Sequence, residues 1–253
     1  MIFGHLDQQG VCLLGGVGIL LILATTIGLI LKRMAHSDSA KRTIANLNLR
    51  IRAWWVMVIV FGVAISFGQL GTCILFAFIS FFAMREMITL APTRRGDHHT
   101  LFWAFFVMIP LQYYLVYISW YGLYSIFIPV YCFLFLAVRS TLTGDATRYL
   151  ERTAKVQWAV MICIYCLSHA PALLMLDVIG QPKAWKLLAF LVIVVQMSDV
   201  LQYIWGKLLG RVKIAPHISP NKTWEGFIGG VVSASLLGMG LYWLTPFTPL
   251  RAA

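Results

Sequence analysis

Apolar residues fall into blocks along the whole chain, separated by short polar stretches. Eight blocks stand out, at residues 11–31, 53–69, 71–88, 101–118, 122–138, 156–179, 185–206 and 227–245. At 1.5 Å per residue, helices of about 17–24 residues cross a hydrocarbon core about 30 Å thick. The pattern predicts an all-α fold, a polytopic integral membrane protein with about eight transmembrane helices. Blocks two and three are short and meet at Gln69-Leu70-Gly71. That junction leaves two readings open: two helices joined by a tight turn, or one broken element. The unbroken series of spans predicts a single membrane domain over residues 1–253, with an N-terminal helical portion (1–150) and a C-terminal portion (151–253).

Composition agrees with the pattern. Sixty per cent of the 253 residues are hydrophobic and 11% are charged, against roughly 45–50% and 25% in soluble domains. A disordered chain, a coiled coil and a soluble enzyme are excluded. The net charge of +11 comes from 20 Lys and Arg against 9 Asp and Glu. In a soluble protein this would suggest nucleic acid. Here the basic residues sit between the apolar blocks, where they set orientation and meet anionic lipid headgroups, so no nucleic-acid partner is expected.

Four alternate connections hold seventeen of the basic residues. These include Lys32, Arg33, Arg50 and Arg52 in the loop 32–52, Arg94 and Arg95, Arg148 and Arg152, and Arg211 and Lys213. The opposite side holds three, Lys183, Lys186 and Arg251. Positive charge stays cytoplasmic, so both termini are expected outside. Residues 1–10 carry no Lys or Arg, which argues against a signal peptide. Cys12, Cys73, Cys132, Cys163 and Cys166 all lie in apolar blocks and read as reduced packing residues.

Ionisable residues in or beside spans are costly and mark function. Glu86 reads as a surface partner of Arg85, Asp177 as solvated at an outer end, and His169-Ala170-Pro171 as a kink with a satisfied histidine. Asp199 is different. It lies about 21 Å into a span that enters from outside, where a carboxylate needs a cation, a metal or water. Asp199, Tyr203, Gly206 and Gly210 follow at helical spacing and share a face if the helix continues. A basic loop with Lys207, Arg211 and Lys213 comes next; it is not a Walker loop.

Then comes Ser219-Pro220-Asn221-Lys222-Thr223-Trp224-Glu225-Gly226. Ser219 as N-cap and Pro220 at the first position predict a helix start with free N–H groups and Lys222 one turn in, a phosphate site. Lys222 and Glu225 can share a face, and Glu225 facing Asp199 could join a metal and polyphosphate site. An ordinary capped helix and a small-residue packing stripe with one buried polar group remain the alternatives.

At these residues the chain resembles the phosphatidate cytidylyltransferase (CDP-diacylglycerol synthase) family. The likeness lies in Asp199, Tyr203 and Gly206, then Gly210, Arg211 and Lys213, then Ser219, Pro220, Lys222, Thr223, Glu225, Gly226, Gly229 and Gly230. It implies CTP and phosphatidate as substrates, membrane lipids as surroundings, and Mg²⁺, with room for a second ion. Asp199 would bind the metal and act in catalysis with Lys222 and Glu225, the latter orienting Lys222 or a metal-bound water. Ser219, Lys222 and Arg211 would contact phosphate. Tyr203 and the glycines would shape the cavity, in a bacterial inner membrane with the site facing the cytoplasm.

The family's aspartate-bearing C-terminal signature does not occur before Ala253. The resemblance therefore implies a C-terminally truncated member with little or no turnover. It also implies an open groove where Gly229 and Gly230 would have packed, inviting a homodimer. A non-catalytic lipid-binding protein and a small-ion or solute transporter are the rival classes.

Overall fold

The computed structural model describes residues 8–34, 37–91, 93–94, 96–176 and 184–253. Arg95, Asp177 and Lys183, assigned above to connections, lie outside the described residues. Among the described residues eight long helices follow in the predicted order: α1 (Gln8–Met34), α2 (Asp38–Ser66), α3 (Gly68–Leu90), α4 (Asp97–Tyr117), α5 (Tyr121–Thr141), α6 (Tyr149–Met175), α7 (Trp185–Leu208) and α8 (Trp224–Gly240). The first seven are long and apolar enough to cross a membrane. At 17 residues α8 is about 25 Å long, slightly short of a full hydrocarbon core.

Several helices outrun their apolar blocks. The expected loop 32–52 is mostly the polar first half of α2, which starts at Asp38. Residues 38–61 contain neither Gly nor Pro, so nothing stops the helix at the membrane edge. Charge marks where the bilayer ends, whereas helix-breaking residues mark where the helix ends. Between α2 and α3 the chain makes a real break. Gly68 takes φ 69°, in the left-handed region. A Cβ on Gly71 would overlap Ala64 O and Phe67 Cβ. The open question at Gln69 resolves to two helices with a tight turn.

The chain forms two compact units, Met1–His169 and Ala170–Ala253, divided within α6. In the first, α1 and α2 form an antiparallel hairpin. Asn48 Nδ2 donates to Gly28 O at 3.3 Å and Trp55 Nε1 to Thr25 Oγ1 at 3.1 Å. α3 buries Thr72, Cys73, Phe76, Ser80 and Met84 along one face, at helical spacing. Ser80 Oγ lies 2.6 Å from Tyr113 OH of α4.

Two polar nodes tie α4, α5 and α6. At one end Arg152, 5% exposed, is wrapped by acceptors. Its Nε donates to Asp97 Oδ1 at 2.8 Å, and its Nη1 to Asp145 Oδ2 at 2.8 Å and to the carbonyls of Asp145 and Thr147 at 3.1 Å. Asp97 Oδ2 accepts the Arg94 N–H at 2.9 Å. Towards the other end Gln112, fully buried, donates to Tyr124 O at 3.1 Å and Ser168 Oγ at 2.9 Å.

Between these nodes each helix holds a π-helical stretch: Ala104–Met108 in α4, Phe127–Cys132 in α5 and Met161–Cys166 in α6. Pro110, Pro129 and Pro171 lie in or just beyond them. Proline removes a helix hydrogen bond and crowds the preceding turn, and a wider turn absorbs that conflict.

His169 behaves as expected, its Nδ1 2.8 Å from Tyr165 O beside the in-helix Pro171. Arg85 and Glu86 are successive positions of α3, so their side chains diverge rather than pair. All five cysteines are free; Cys73, Cys132 and Cys163 are buried.

In the second unit α7 and α8 lie side by side, joined by an antiparallel ribbon of β1 (Lys213–Ala215) and β2 (Ser219–Thr223). Lys213 pairs with Thr223 and Ala215 with Ser219. A short helix α9 (Pro249–Ala252) returns to α8, where Ala252 O sits over Gly238. Lys186, placed in an outer connection by its charge, is buried in the first turn of α7.

Candidate active site

The candidate residues gather where α7, the ribbon and α8 meet. α7 runs on to Leu208, so Asp199, Tyr203 and Gly206 do share one helix, with Asp199 about 14 Å before its end. Gly210 lies past the helix end and joins this face through tertiary packing instead. Asp199 is 81% exposed at its side chain, and its cation is Lys222, with Nζ 3.6 Å from Oδ1. That is ion-pair distance, longer than a hydrogen bond. Lys207 Nζ lies 5.9 Å from the Tyr203 ring centroid, a cation–π contact.

The start of α8 corrects the expectation. Ser219 and Pro220 are strand residues of β2, not N-cap and first helical turn. Pro220 lacks a donor, which an exposed two-stranded ribbon tolerates. Thr223 is the N-cap: its Oγ1 accepts the Gly226 N–H at 3.2 Å. The Trp224 N–H is spent on Val212 O at 3.0 Å. The phosphate cradle expected at Ser219–Pro220 is therefore not formed there, and Lys222 precedes the helix rather than riding on it.

Glu225 also takes a different partner. It faces neither Lys222 nor Asp199. Its carboxylate accepts the Arg211 N–H at 3.1 Å and the Val212 N–H at 3.2 Å. Its own backbone N–H, then those of Arg211 and Val212, with the Arg211 charge beyond, hold the carboxyl below the usual glutamate range. These bonds are held above that lowered pKa and are lost as pH falls through it.

The glycines serve close approach. A Cβ on Gly226 would come within 2.9 Å of Gln202 O and Gly206 Cα, and one on Gly230 within 2.9 Å of Gln202 Cα and N. Gly229 lies against the Trp205 ring. Small residues let helix backbones meet this way. Gly229 and Gly230 are thus filled by α7 and do not line an open groove. Thr223, 5% exposed, sits in a nest made by Gly206, Gly210 and Gly226. Gln202 and Trp205 were not anticipated; Trp205 Nε1 donates to Ser233 Oγ at 2.8 Å and pins the pair. Thr223 was recognisable, since a Thr two residues before a Glu and four before an apolar run is a good helix start.

Among the described residues no three His, Cys, Asp or Glu side chains cluster as a metal site. The corner instead offers one exposed carboxylate, Asp199, facing a lysine, with three exposed cations beside it: Lys207, which lies in the last turn of α7 rather than in a loop, Arg211 in the connection, and Lys213 at the start of β1.

The fold is thus that of a polytopic α-helical membrane protein, with a charged corner where its last long helices meet. A sequence profile described as the cytidylyltransferase family matches residues 48–251. The chain belongs to the cytidylyltransferase family. It is 38% identical over 237 residues to YnbB, an uncharacterized protein of Escherichia coli (strain K12), covering 92% of this chain and 75% of that one. It is 42% identical over 59 residues to a phosphatidate cytidylyltransferase of Brucella abortus biovar 1, covering 23% of this chain and 22% of that enzyme. With the phosphatidate cytidylyltransferase of Staphylococcus haemolyticus the identity is 44% over 61 residues, covering 24% and 23%. No solved structure matches the chain.

Proposed function

We propose that this chain acts, with the low turnover expected above, as a CTP:phosphatidate cytidylyltransferase, producing CDP-diacylglycerol and pyrophosphate for phospholipid synthesis. The observation that carries the reading is the Asp199–Lys222 pair, 3.6 Å apart, on the exposed side of the α7–β2 corner. A carboxylate on an apolar helix with a lysine against it suits a substrate that brings both phosphate and metal. The names of the partial relatives supply the substrates.

In the reaction a phosphate oxygen of phosphatidate attacks the α-phosphorus of CTP. The bond from that phosphorus to the bridging oxygen breaks, and pyrophosphate leaves with the electron pair. Such transfer is mostly positioning and charge stabilisation. Lys222 offsets charge on the phosphates, with Arg211, Lys207 and Lys213 drawing both anions to the corner. Asp199 holds the Lys222 ammonium in place.

The donor chemistry fits Mg²⁺, which takes one or two carboxylates and completes its shell with substrate phosphates and water. Asp199 would hold it, and the ion would offset charge on the phosphates. Glu225, with both oxygens on backbone amides, is no second ligand, so a second ion would rest on substrate. Membranes carrying the chain, given phosphatidate and CTP labelled in the α-phosphate, should place label in chloroform-soluble lipid. Label entering lipid only from the γ-phosphate would indicate a lipid kinase, and none from either position would overturn the reading.

The corner faces the cytoplasm in this reading, on the seventeen-to-three division of basic residues. Single cysteines introduced as Thr43→Cys, Ser219→Cys and, at the exposed C-terminal position, Ala253→Cys, in a background without native cysteine, test this. In whole cells an impermeant reagent should label Ala253→Cys and spare the other two. The reverse pattern rejects the orientation.

A further inference from the structure

We infer that Glu225 is a positioning residue of this corner, which fixes the basic loop and strand β2 through backbone amides and does not hold metal. The inference rests on the reading of the corner as a transfer site. Three bonds converge on one peptide turn. The Glu225 carboxylate takes the N–H groups of Arg211 and Val212, and the Val212 carbonyl takes the N–H of Trp224, the residue before Glu225. The same turn opens β1, whose Lys213 pairs with Thr223, and Lys222 is the next residue along β2. Thr223 is itself locked among Gly206, Gly210 and Gly226. One carboxylate therefore sets where Arg211 leaves the α7 end and where Lys222 meets Asp199. Its charge also suits the first turn of α8.

A metal ligand would turn its oxygens toward Asp199 and the substrate. Those of Glu225 are 3.1–3.2 Å from two amide nitrogens instead. The lowered carboxyl pKa agrees with that placement.

The test uses the full chain in nanodiscs as wild type, Glu225→Gln and Glu225→Ala. Hydrogen exchange of the peptide spanning residues 209–216 should speed up by about tenfold or more in Glu225→Ala, with Glu225→Gln between it and wild type, because Gln keeps an acceptor but not the charge. Asp199→Asn should leave that exchange unchanged. In the transfer assay the KM for CTP should rise about tenfold or more with a smaller fall in kcat, as expected when binding groups are misplaced. The half-saturating Mg²⁺ concentration should stay within about twofold of wild type, whereas loss of a metal ligand should raise it by about tenfold or more.

Unchanged exchange in Glu225→Ala overturns the inference, as does a large rise in the Mg²⁺ requirement, or faster exchange with normal transfer. A wild-type chain that transfers nothing overturns the reading of the site itself. The exchange measurement judges the brace separately.

Discussion

Asp199→Asn is expected to lower phosphatidate-dependent transfer by about 10²-fold or more, and Lys222→Ala by a similar factor, the usual cost of losing a group that stabilises charge in a transition state. Asn keeps the shape of Asp199 but not its negative charge. It loses the attraction for Lys222, 3.6 Å away, and the one exposed carboxylate this corner offers a phosphate-borne metal. The two losses should not add in the double variant, because each residue acts partly through the other. Glu86→Gln, on α3 in the other unit, should stay within about tenfold of wild type. Initial rates of lipid labelling measure all four. Near-normal turnover in Asp199→Asn would remove it from the site.

The second large effect is on stability. Arg152→Ala should destabilise the first unit by about 3–5 kcal/mol, because removing one partner strands buried charge. Asp97, 4% exposed, would lose its guanidinium, and the carbonyls of Asp145 and Thr147 would lose donors. Arg148→Ala, whose contact with Glu151 is 4.0 Å and exposed, should cost little. A thiol-reactive dye reports unfolding in detergent as Cys73, Cys132 and Cys163 become accessible. Equal melting curves for Arg152→Ala and wild type would show that the network carries no stability.

The spans were legible because crossing a bilayer is a demand on length and apolarity, which a chain displays openly. Helix ends were less so: the charges of Lys41, Arg42, Arg50 and Arg52 end a membrane segment but continue α2. At the site, the residues of α7 were readable from spacing, and Asp199 from the cost of a carboxylate within an apolar span. Its pairing with Lys222, twenty-three positions on, is tertiary and left no local trace. Ser219-Pro220 misled because Ser before Pro suits a helix start and an exposed strand alike. Glu225 misled for another reason. Its partners are backbone N–H groups, which every residue but proline carries, so no residue type announces them.

The π stretches of α4, α5 and α6 have a geometric consequence. Each lies between two polar nodes, with Asp97, Ser140 and Arg152 on one side and Gln112, Tyr124 and Ser168 on the other. A π turn amounts to one extra residue in an α-helix, and one residue is about 100° of rotation. Each stretch therefore acts as a vernier, letting the two halves of a helix be aimed independently. Deleting one residue there would keep the helix whole yet swing its far half away, so that Gln112 could no longer meet Ser168 while Arg152 still held Asp97.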